Sequence, residues 1–182
     1  MTKSVLVTGG AGYIGSHACK ALARAGYLPV VFDDLSAGHE RAVKWGPLEL
    51  GNLLDLAALD GAIMRNDPVA VIHFAGCATV GESVVDPAKY YRNNVAGTLN
   101  LLNAMRRANV GKIVFSSSCT VYGDSGEKRL DETHPLAPIN PYGRTKLAAE
   151  RMIGDFAAAY GMSYMSLRYF NAAGADPDGE IG

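Results

Sequence analysis

This chain has few cysteines, almost no net charge and only short apolar runs. Its three cysteines, Cys19, Cys77 and Cys119, are odd in number and widely spaced, so neither a disulfide framework nor a zinc site is indicated. Seventeen basic residues face eighteen acidic ones, for a formal charge of −1. This balance argues against nucleic acid or an anionic membrane as the main partner. Apolar runs such as 69–75 are far too short to span a bilayer.

The first residues also lack the apolar core and cleavage pattern of a signal peptide, and we therefore expect a cytoplasmic protein. Hydrophobic residues make up 48% of the chain, which is too many for a disordered segment. A length of 182 residues predicts one domain with a core able to stand alone. Glycine is the one compositional excess, with 21 residues.

Hydrophobic periodicity predicts alternating strands and helices. Short apolar runs predict strands at 4–8, 28–32, 48–50, 69–74, 112–116 and 163–169. Helical spacing predicts helices at 13–25, 54–65, 87–108 and 141–160, and Val95, Leu99 and Leu102 are expected to share the buried face of the third. A polar stretch over 123–140 predicts a long loop. Six strands separated by helices call for a doubly wound parallel α/β sheet, a Rossmann fold, in the order 3-2-1-4-5-6.

Four glycines lie between the first predicted strand and the first predicted helix. Gly9, Gly10, Gly12 and Gly15 satisfy G-x-x-G-x-x-G, and the flanking strand and helix supply the context that this fingerprint requires. Without side chains the backbone can approach a pyrophosphate, and the helix N-terminus offers free N–H groups. The pattern predicts a nucleotide site, with a plain glycine-rich turn as the alternative.

An acidic pair, Asp33 and Asp34, ends the second predicted strand. A carboxylate about 20 residues after the glycines can accept hydrogen bonds from an adenosine ribose, and its charge repels a 2′-phosphate. The pair therefore favours NAD over NADP. The alternative is that Asp33 forms a turn or caps the next segment.

Serines 116–118 follow the fifth predicted strand, at the sheet edge where doubly wound folds bind ligands. Tyr142 and Lys146 lie four residues apart at the start of the next helix, so their side chains share one face. A phenol has a pKa of about 10, but an adjacent ammonium and a cationic nicotinamide both favour the phenolate. Taken alone, the pair also fits a solvated helix surface. The order of these features along the chain favours Tyr142 as a proton shuttle.

With these residues in place, the chain resembles the UDP-glucose 4-epimerase family of extended short-chain dehydrogenases/reductases over its full length. The segments that carry the resemblance are 8–17, 73–76, 80–83, 93–95, 116–118, 121–123, 141–143 with Lys146, and 168–171. Segments 80–83 and 168–171 point to the epimerases within the superfamily. The resemblance implies an enzyme of galactose metabolism. Its reaction would be NAD-dependent epimerisation at C4 of a UDP-hexose, UDP-glucose or UDP-galactose, through a transient 4-keto sugar.

The resemblance also implies roles for individual residues. Tyr142 would take the 4-hydroxyl proton while the C4 hydride passes to NAD, Ser118 would bind the reacting oxygen, and Lys146 would hold the ribose and lower the pKa of the tyrosine. Substrate contacts are implied for Ser118, Tyr142 and Asn171, and no metal is implied. The implied cofactor positions are Gly9, Gly12, Tyr13, Ile14, Gly15, Asp33, Asn52, Leu53, Phe74, Ala75, Gly76, Asn93, Ser116, Tyr142, Lys146 and Tyr169.

Two positions depart from the family pattern. Asn52 stands where an aspartate is common beside the adenine, and Ala78 stands where some members have a lysine. The resemblance further divides the chain into an NAD-binding Rossmann domain with the catalytic residues, 1–175, and the start of a truncated substrate region, 176–182, whose lobe is largely absent. Helices 87–108 and 141–160 correspond to those that pair across the family's homodimer.

Three other functions stay open at this point. The chain could be a non-catalytic NAD-binding fragment, or an epimerase acting on another nucleotide sugar. A nucleotide-sugar 4,6-dehydratase is disfavoured, because Cys119 and Thr120 follow the serines where a dehydratase would need an Asp-Glu pair.

Overall fold

The computed structural model of the chain describes residues 2–124, 126 and 129–181. Its strands are β1 (Ser4–Thr8), β2 (Leu28–Asp33), β3 (Leu48–Leu50), β4 (Ala70–His73), β5 (Lys112–Ser116) and β6 (Ser163–Leu167). Its helices are α1 (Tyr13–Arg24), α2 (Leu56–Asn66), α3 (Val80–Val85), α4 (Pro87–Tyr90), α5 (Gly97–Arg107) and α6 (Pro141–Tyr160). A π-helical segment, Tyr91–Ala96, joins α4 to α5, and 3₁₀ turns lie at Glu40–Ala42 and Cys119–Tyr122.

The six strands form one parallel sheet in the order β3-β2-β1-β4-β5-β6. The predicted doubly wound fold and strand order are therefore confirmed. Thr8 pairs with Phe32 of β2 and with His73 of β4, so these three strands end at the same level. The loops that follow them consequently meet at one edge of the sheet, where ligands bind in this architecture.

Side-chain alternation along the strands divides the core into two layers. Leu6 faces α2, α5 and α6, whereas its neighbours Val5 and Val7 face the other side, together with Cys19 of α1. This is the period of two expected of a strand buried on both faces. Strand β6 is an exception, because Met165 and Tyr164 remain exposed at the edge of the sheet.

The predicted helix over 87–108 is present but changes its winding along the way. Leu102 is buried as expected, whereas Leu99 is 39% exposed and Val95 only half-buried. Both leucines lie on the regular helix α5, whose buried face carries Thr98 and Leu101 as well as Leu102, so Leu99 lies at the edge of that face. Val95 lies in the π-helical segment, where hydrogen bonds span five residues and a spacing of 3.6 residues per turn does not hold.

Among the α-helices of the described residues, α3 is the one that the sequence patterns do not predict. Its six residues, VGESVV, combine glycine with β-branched valines, which have low helix propensity. Parts of two sequence-based expectations, residues 125, 127 and 128 of the loop and residue 182 of the substrate region, lie outside the described residues. Across the part of the chain that is described, no helix is both long enough and apolar enough to cross a membrane.

The segment after β6 folds back over the start of α1. The Tyr13 hydroxyl donates to the carbonyl of Gly174, and the buried Lys20 ammonium donates to the carboxylates of Asp176 and Asp178, each at 2.7 Å. These bonds fix the path of the last described residues beside the glycine-rich turn.

Candidate functional site

The turn between β1 and α1 has room for glycine only at its key positions. Gly9 has φ +74°, and a Cβ there would lie 2.6 Å from the Ala75 nitrogen. A Cβ on Gly15 would lie 2.2 Å from the Gly9 carbonyl oxygen, well inside van der Waals contact. The glycines therefore let β1, α1 and the loop after β4 approach one another closely, and they leave an open backbone cradle at the N-terminus of α1.

Asp33 closes one side of this cradle. Its two carboxylate oxygens accept hydrogen bonds from the Ala11 nitrogen at 3.0 Å and from the Leu35 nitrogen at 2.9 Å. Leu35 has φ +59°, as residues in tight turns can have. Its bond to Asp33 shows that Asp33 does stabilise a turn, which was the alternative interpretation of this residue. Each carboxylate oxygen retains acceptor capacity, so the same side chain can also accept ribose hydroxyls.

Asp34 and Asn52 are joined to each other beside the cradle. The Asn52 amide donates to Asp34 at 2.6 Å and its oxygen accepts from the Leu54 nitrogen at 2.9 Å. Burial raises the pKa of Asp34, but hydrogen bonds from Ser36 and Asn52 outweigh burial and lower the pKa overall. Asp34 is therefore an anion at neutral pH, and Asn52 is held in place by it.

An open groove of about 640 Å³ runs along this edge of the sheet. Ten of the predicted cofactor residues line it, namely Gly9, Gly12, Tyr13, Asp33, Asn52, Leu53, Phe74, Ala75, Gly76 and Asn93. The lining also includes residues that sequence reasoning missed, among them Ser36, Gly38, Cys77, Thr79, Glu82 and Lys89. They come from the loops after β2 and β4 and from helices α3 and α4, and only Glu82 belongs to a segment, 80–83, that the sequence analysis singled out.

The second part of the site lies at the end of β5 and the start of α6. Lys146 is fully enclosed and its ammonium donates to the Ser116 carbonyl at 3.0 Å, while the Ser116 and Tyr169 hydroxyls are hydrogen-bonded to each other. A Cβ on Gly76 would lie 3.8 Å from the Lys146 nitrogen. Gly76 therefore brings the groove directly up to Lys146.

Tyr142 and Ser118 complete this cluster. The Lys146 nitrogen lies 5.8 Å from the centroid of the Tyr142 ring. Burial raises the pKa of Tyr142, and the Ser118 hydroxyl opposes this rise. Burial also lowers the pKa of Lys146, to about 8. The predicted lowering of the tyrosine pKa by Lys146 stays a prediction, since burial governs the phenol in this structure.

Two side chains cap the start of α6 and so fix Tyr142. Asn140 accepts from the Gly143 nitrogen at 2.8 Å, and Ser83 of α3 accepts from the Tyr142 nitrogen at 3.2 Å. Helix N-termini leave such N–H groups without partners inside the helix. Ser83 belongs to segment 80–83, and the unpredicted helix α3 is what brings it to Tyr142.

The serine run is tied to the end of β6 through Glu150. The Ser117 hydroxyl donates to Glu150, and Arg168 forms two bonds with the same carboxylate, at 3.0 and 2.7 Å. Such a bidentate pair fixes geometry as well as charge. The Ser117–Glu150–Arg168 contacts therefore hold Ser118 and Tyr169, the next residues after Ser117 and Arg168, at the same end of the sheet.

Three predicted site residues have other surroundings. Gly15 is buried beneath Gly9, where it shapes the turn. Ile14 is half-buried on the first turn of α1 and outside the groove lining, and Asn171 is exposed on the segment after β6. The contacts implied for Ile14 and Asn171 stay predictions.

Comparison with known proteins places this site in a described family. The NAD dependent epimerase/dehydratase family matches residues 5–181 of the chain. A UDP-glucose 4-epimerase of Rhizobium meliloti (strain 1021) is 54% identical over 179 residues, which are 98% of this chain and 55% of that protein. The chain spans about half the length of the curated relatives it matches.

Solved structures give the same result. The UDP-glucose 4-epimerase from Brucella ovis in complex with NAD is 57% identical and has a TM-score of 0.97, over 100% of this chain and 56% of that one. The Bifidobacterium longum enzyme in complex with NAD⁺ and UDP is 39% identical and has a TM-score of 0.94, over 99% and 57%. The resemblance to UDP-glucose 4-epimerases is thereby confirmed.

Proposed function

The chain belongs to the NAD dependent epimerase/dehydratase family, and on this basis we propose that it carries the NAD-binding and reacting half of an enzyme that epimerises C4 of a UDP-hexose, UDP-glucose or UDP-galactose. One observation carries the proposal. The glycine-lined groove reaches Gly76, where a Cβ would lie 3.8 Å from the nitrogen of buried Lys146, and Lys146 in turn lies beside Tyr142. A dinucleotide site that ends at a proton-transfer pair is what such a reaction requires.

The residues present fit NAD. The cradle at Gly9 and Gly12, which depends on the close approach of Gly9 to the Ala75 backbone, offers backbone to a pyrophosphate at the positive end of α1. Asp33 has acceptor capacity left for the adenosine ribose, and Asn52 with Leu53 lies where the groove continues towards an adenine. The two carboxylates Asp33 and Asp34 would repel a 2′-phosphate, which supports NAD over NADP.

The remaining predicted contacts follow the groove towards the reacting end. Phe74, Ala75 and Gly76 form its wall after β4, and Asn93 contributes from the π-helical segment. Lys146, Ser116 and Tyr169 then form one connected group, which supports a role at the nicotinamide ribose. Relatives from Brucella ovis and Bifidobacterium longum were both solved with NAD.

In the proposed reaction, Tyr142 takes the proton of the sugar 4-hydroxyl and returns it after the 4-keto sugar has turned over. When bound, NAD supplies an acceptor that takes the C4 hydride and gives it back to either face. Ser118 holds the reacting oxygen by a hydrogen bond. Lys146 places a positive charge in an enclosed site beside Tyr142, where charge interactions are stronger than in water.

The substrate, the domain division and the assembly are also proposals. We infer that residues 1–175 form the NAD-binding domain, that 176–182 begin the substrate region, and that Asn171 contacts the substrate. We also propose a homodimer that forms through the exposed faces of the π-helical segment, α5 and α6. Tyr91 and Leu99 support it, because both are exposed there. Sedimentation of a Leu99→Glu variant tests this assembly. A cytoplasmic location stays a prediction.

A turnover assay tests the proposed function. UDP-galactose and NAD are added to the chain, and UDP-glucose is detected by a coupled dehydrogenase. We expect Tyr142→Phe to lower the rate at least about 100-fold, because general acid–base groups contribute at least that much, while NAD affinity stays within a few-fold of the unchanged chain. An undiminished rate in Tyr142→Phe contradicts the mechanism. NAD binding with no conversion by the unchanged chain supports a non-catalytic fragment instead.

A further inference from the structure

Five buried polar side chains with no assigned part in the proposed reaction form one line of hydrogen bonds. They are Thr8, His73, Thr98, Asn94 and Thr145, and none is more than 3% exposed. The line starts at the end of β1, crosses β4 and α5, and ends on the first turn of α6. Buried polar groups cost stability unless each has a partner, so a line of five calls for an explanation.

The direction of the first bonds follows from the number of hydrogens available. A threonine hydroxyl has one hydrogen, and that of Thr98 is donated to the Asn94 backbone carbonyl at 2.6 Å. Thr98 can therefore only accept from His73 Nε2, which lies 2.9 Å away. His73 must carry its proton on Nε2, and its Nδ1 accepts from the Thr8 hydroxyl at 2.7 Å.

The second half of the line reaches the backbone of Tyr142. The Asn94 amide nitrogen donates to the Thr145 hydroxyl at 3.1 Å, and Thr145 donates to the Tyr142 carbonyl at 2.8 Å. Every member of the line thus donates towards α6. Together with Ser83 on its nitrogen, Tyr142 has both of its backbone polar groups bound by side chains.

Asn94 also fixes the wall of the groove. Its oxygen accepts from the Cys77 nitrogen at 2.8 Å and its nitrogen donates to the Cys77 carbonyl at 3.0 Å. A Cβ on Gly76 would lie 2.8 Å from the Asn94 oxygen. Asn94 lies in the π-helical segment, a winding often found at functional sites. One side chain therefore sets the spacing between the Gly76 loop and α6.

We propose that Thr98 and neutral His73 are positioning residues, which act through Asn94 to hold the Gly76 wall of the groove and the Tyr142–Lys146 turn of α6 at a fixed separation. The inference rests on the proposed function in that Tyr142 and Lys146 are the reacting pair. The Phe115 ring packs against both groups, 5.4 Å from the His73 ring and 5.0 Å from the Lys146 nitrogen. Burial, with a smaller contribution from Lys146, lowers the pKa of His73 to about 3, in keeping with the neutral ring.

The test compares Thr98→Val, which removes the hydroxyl at constant size, with Thr98→Ser, which keeps it. The first readout is the tautomer of His73, measured by ¹⁵N NMR of the histidine rings and assigned with a His73→Gln spectrum. The unchanged chain and Thr98→Ser should show the proton on Nε2. In Thr98→Val the proton should move to Nδ1, because a proton on Nε2 would have no acceptor whereas the Thr8 oxygen can accept one from Nδ1. A proton on Nδ1 in the unchanged chain overturns the proposal even where the valine variant fails to fold.

The second readout is amide hydrogen exchange of residues 142–146, with Ile63→Val as a control that deletes a methylene in α2 away from the line. We expect exchange at these amides at least ten times faster in Thr98→Val than in Ile63→Val, and restoration by Thr98→Ser. Equal exchange in Thr98→Val and Ile63→Val overturns the proposal. Neither readout uses turnover, so a failed epimerase assay leaves this test intact.

Discussion

At the scale of single residues, Lys146 is the least exposed to solvent of the side chains proposed to take part in the reaction. It is 5% exposed and has one hydrogen bond, to the Ser116 carbonyl. Burial lowers its pKa from 10.5 to about 8, because a charged group loses hydration in a protein interior. The folded chain therefore releases this proton at a lower pH than the unfolded chain does.

This difference predicts how stability depends on pH. Between about pH 8 and 10.5 the unfolded chain binds more protons at Lys146 than the folded chain, so the free energy of unfolding should rise with pH in that window. The total rise corresponds to about 3 kcal/mol at about 1.4 kcal/mol per pKa unit. Urea unfolding of the unchanged chain and of Lys146→Met at several pH values isolates the effect, since methionine does not titrate. A difference between them that stays flat from pH 8 to 10 contradicts the buried ammonium.

Among single residues, those with a local signal could be predicted from sequence. Asp33 follows a glycine fingerprint at a set distance, and Tyr142 and Lys146 are four residues apart on one helix. His73, Thr98 and Thr145 have no such signal, because they meet only after β4, α5 and α6 have packed. The bonds that join them from one element to another span 25 residues or more, as between His73 and Thr98 or between Asn94 and Thr145, and no spacing rule reaches that far.

At the scale of elements, the turn from β1 into α1 depends on the absence of a side chain at Gly15. Gly15→Ala places a Cβ 2.2 Å from the Gly9 carbonyl oxygen, so the turn must open. We expect a loss of at least about 2 kcal/mol in the free energy of unfolding, in the range of overpacked cores, together with loss of NAD binding.

The matched control for this change is Gly81→Ala in α3. A Cβ at Gly81 meets nothing within 4 Å, and alanine is favoured over glycine in a helix by about 1 kcal/mol. This variant should be as stable as the unchanged chain or slightly more so. Urea unfolding and NAD titration of both variants check the pair. Equal stability of Gly15→Ala and Gly81→Ala would mean that the close approach of β1 and α1 is absent.

Elements with a clear period could be predicted almost to the residue, as α6 and β5 show. Helix α3 could not, because a six-residue helix with glycine and valines is stabilised by its packing and by the bond from the Tyr142 nitrogen to Ser83, not by local propensity. The face of the next helix could not either. The buried face of α5 is centred on Thr98 and Leu101 and leaves Leu99 at its edge, and a pattern of apolar residues alone does not predict a buried threonine.

At the scale of the whole molecule, Lys20 joins the first helix to the last described residues. Its ammonium is hydrogen-bonded to Asp176 and Asp178 and lies 5.8 Å from the centroid of the single tryptophan, Trp45. The hydrogen bond to Lys20 lowers the pKa of Asp176. This contact therefore stabilises the fold above the usual pKa of an aspartate and is lost as the pH falls through the lowered value.

Removal of this ammonium should release the segment after β6. In Lys20→Met we expect faster amide exchange at Gly179 and Glu180, whose nitrogens donate to Asp176, and a changed Trp45 fluorescence. Lys3→Met, at an exposed lysine, serves as the control and should alter neither. Unchanged exchange at both amides in Lys20→Met would contradict a fixed path for this segment.

The fold as a whole could be predicted because alternating strands and helices permit few topologies, and right-handed crossovers reduce them to the observed order. The return of residues 171–181 over α1 could not be predicted from Lys20 and Asp176 alone, since they are 156 residues apart. The groove could be predicted only in part, for the same reason. Its walls come from the ends of several strands, and sequence motifs mark only those walls that carry glycines or acids.

Titration of the chain with NAD and with NADP tests the central claim most directly, since every proposed role depends on a dinucleotide in the groove. We predict one NAD bound per chain and NADP binding at least about tenfold weaker, a difference of about 1.4 kcal/mol, because the negative charges of Asp33 and Asp34 would repel a 2′-phosphate. Isothermal titration calorimetry measures both affinities on the same preparation. No binding of NAD, or equal affinity for the two dinucleotides, would contradict it.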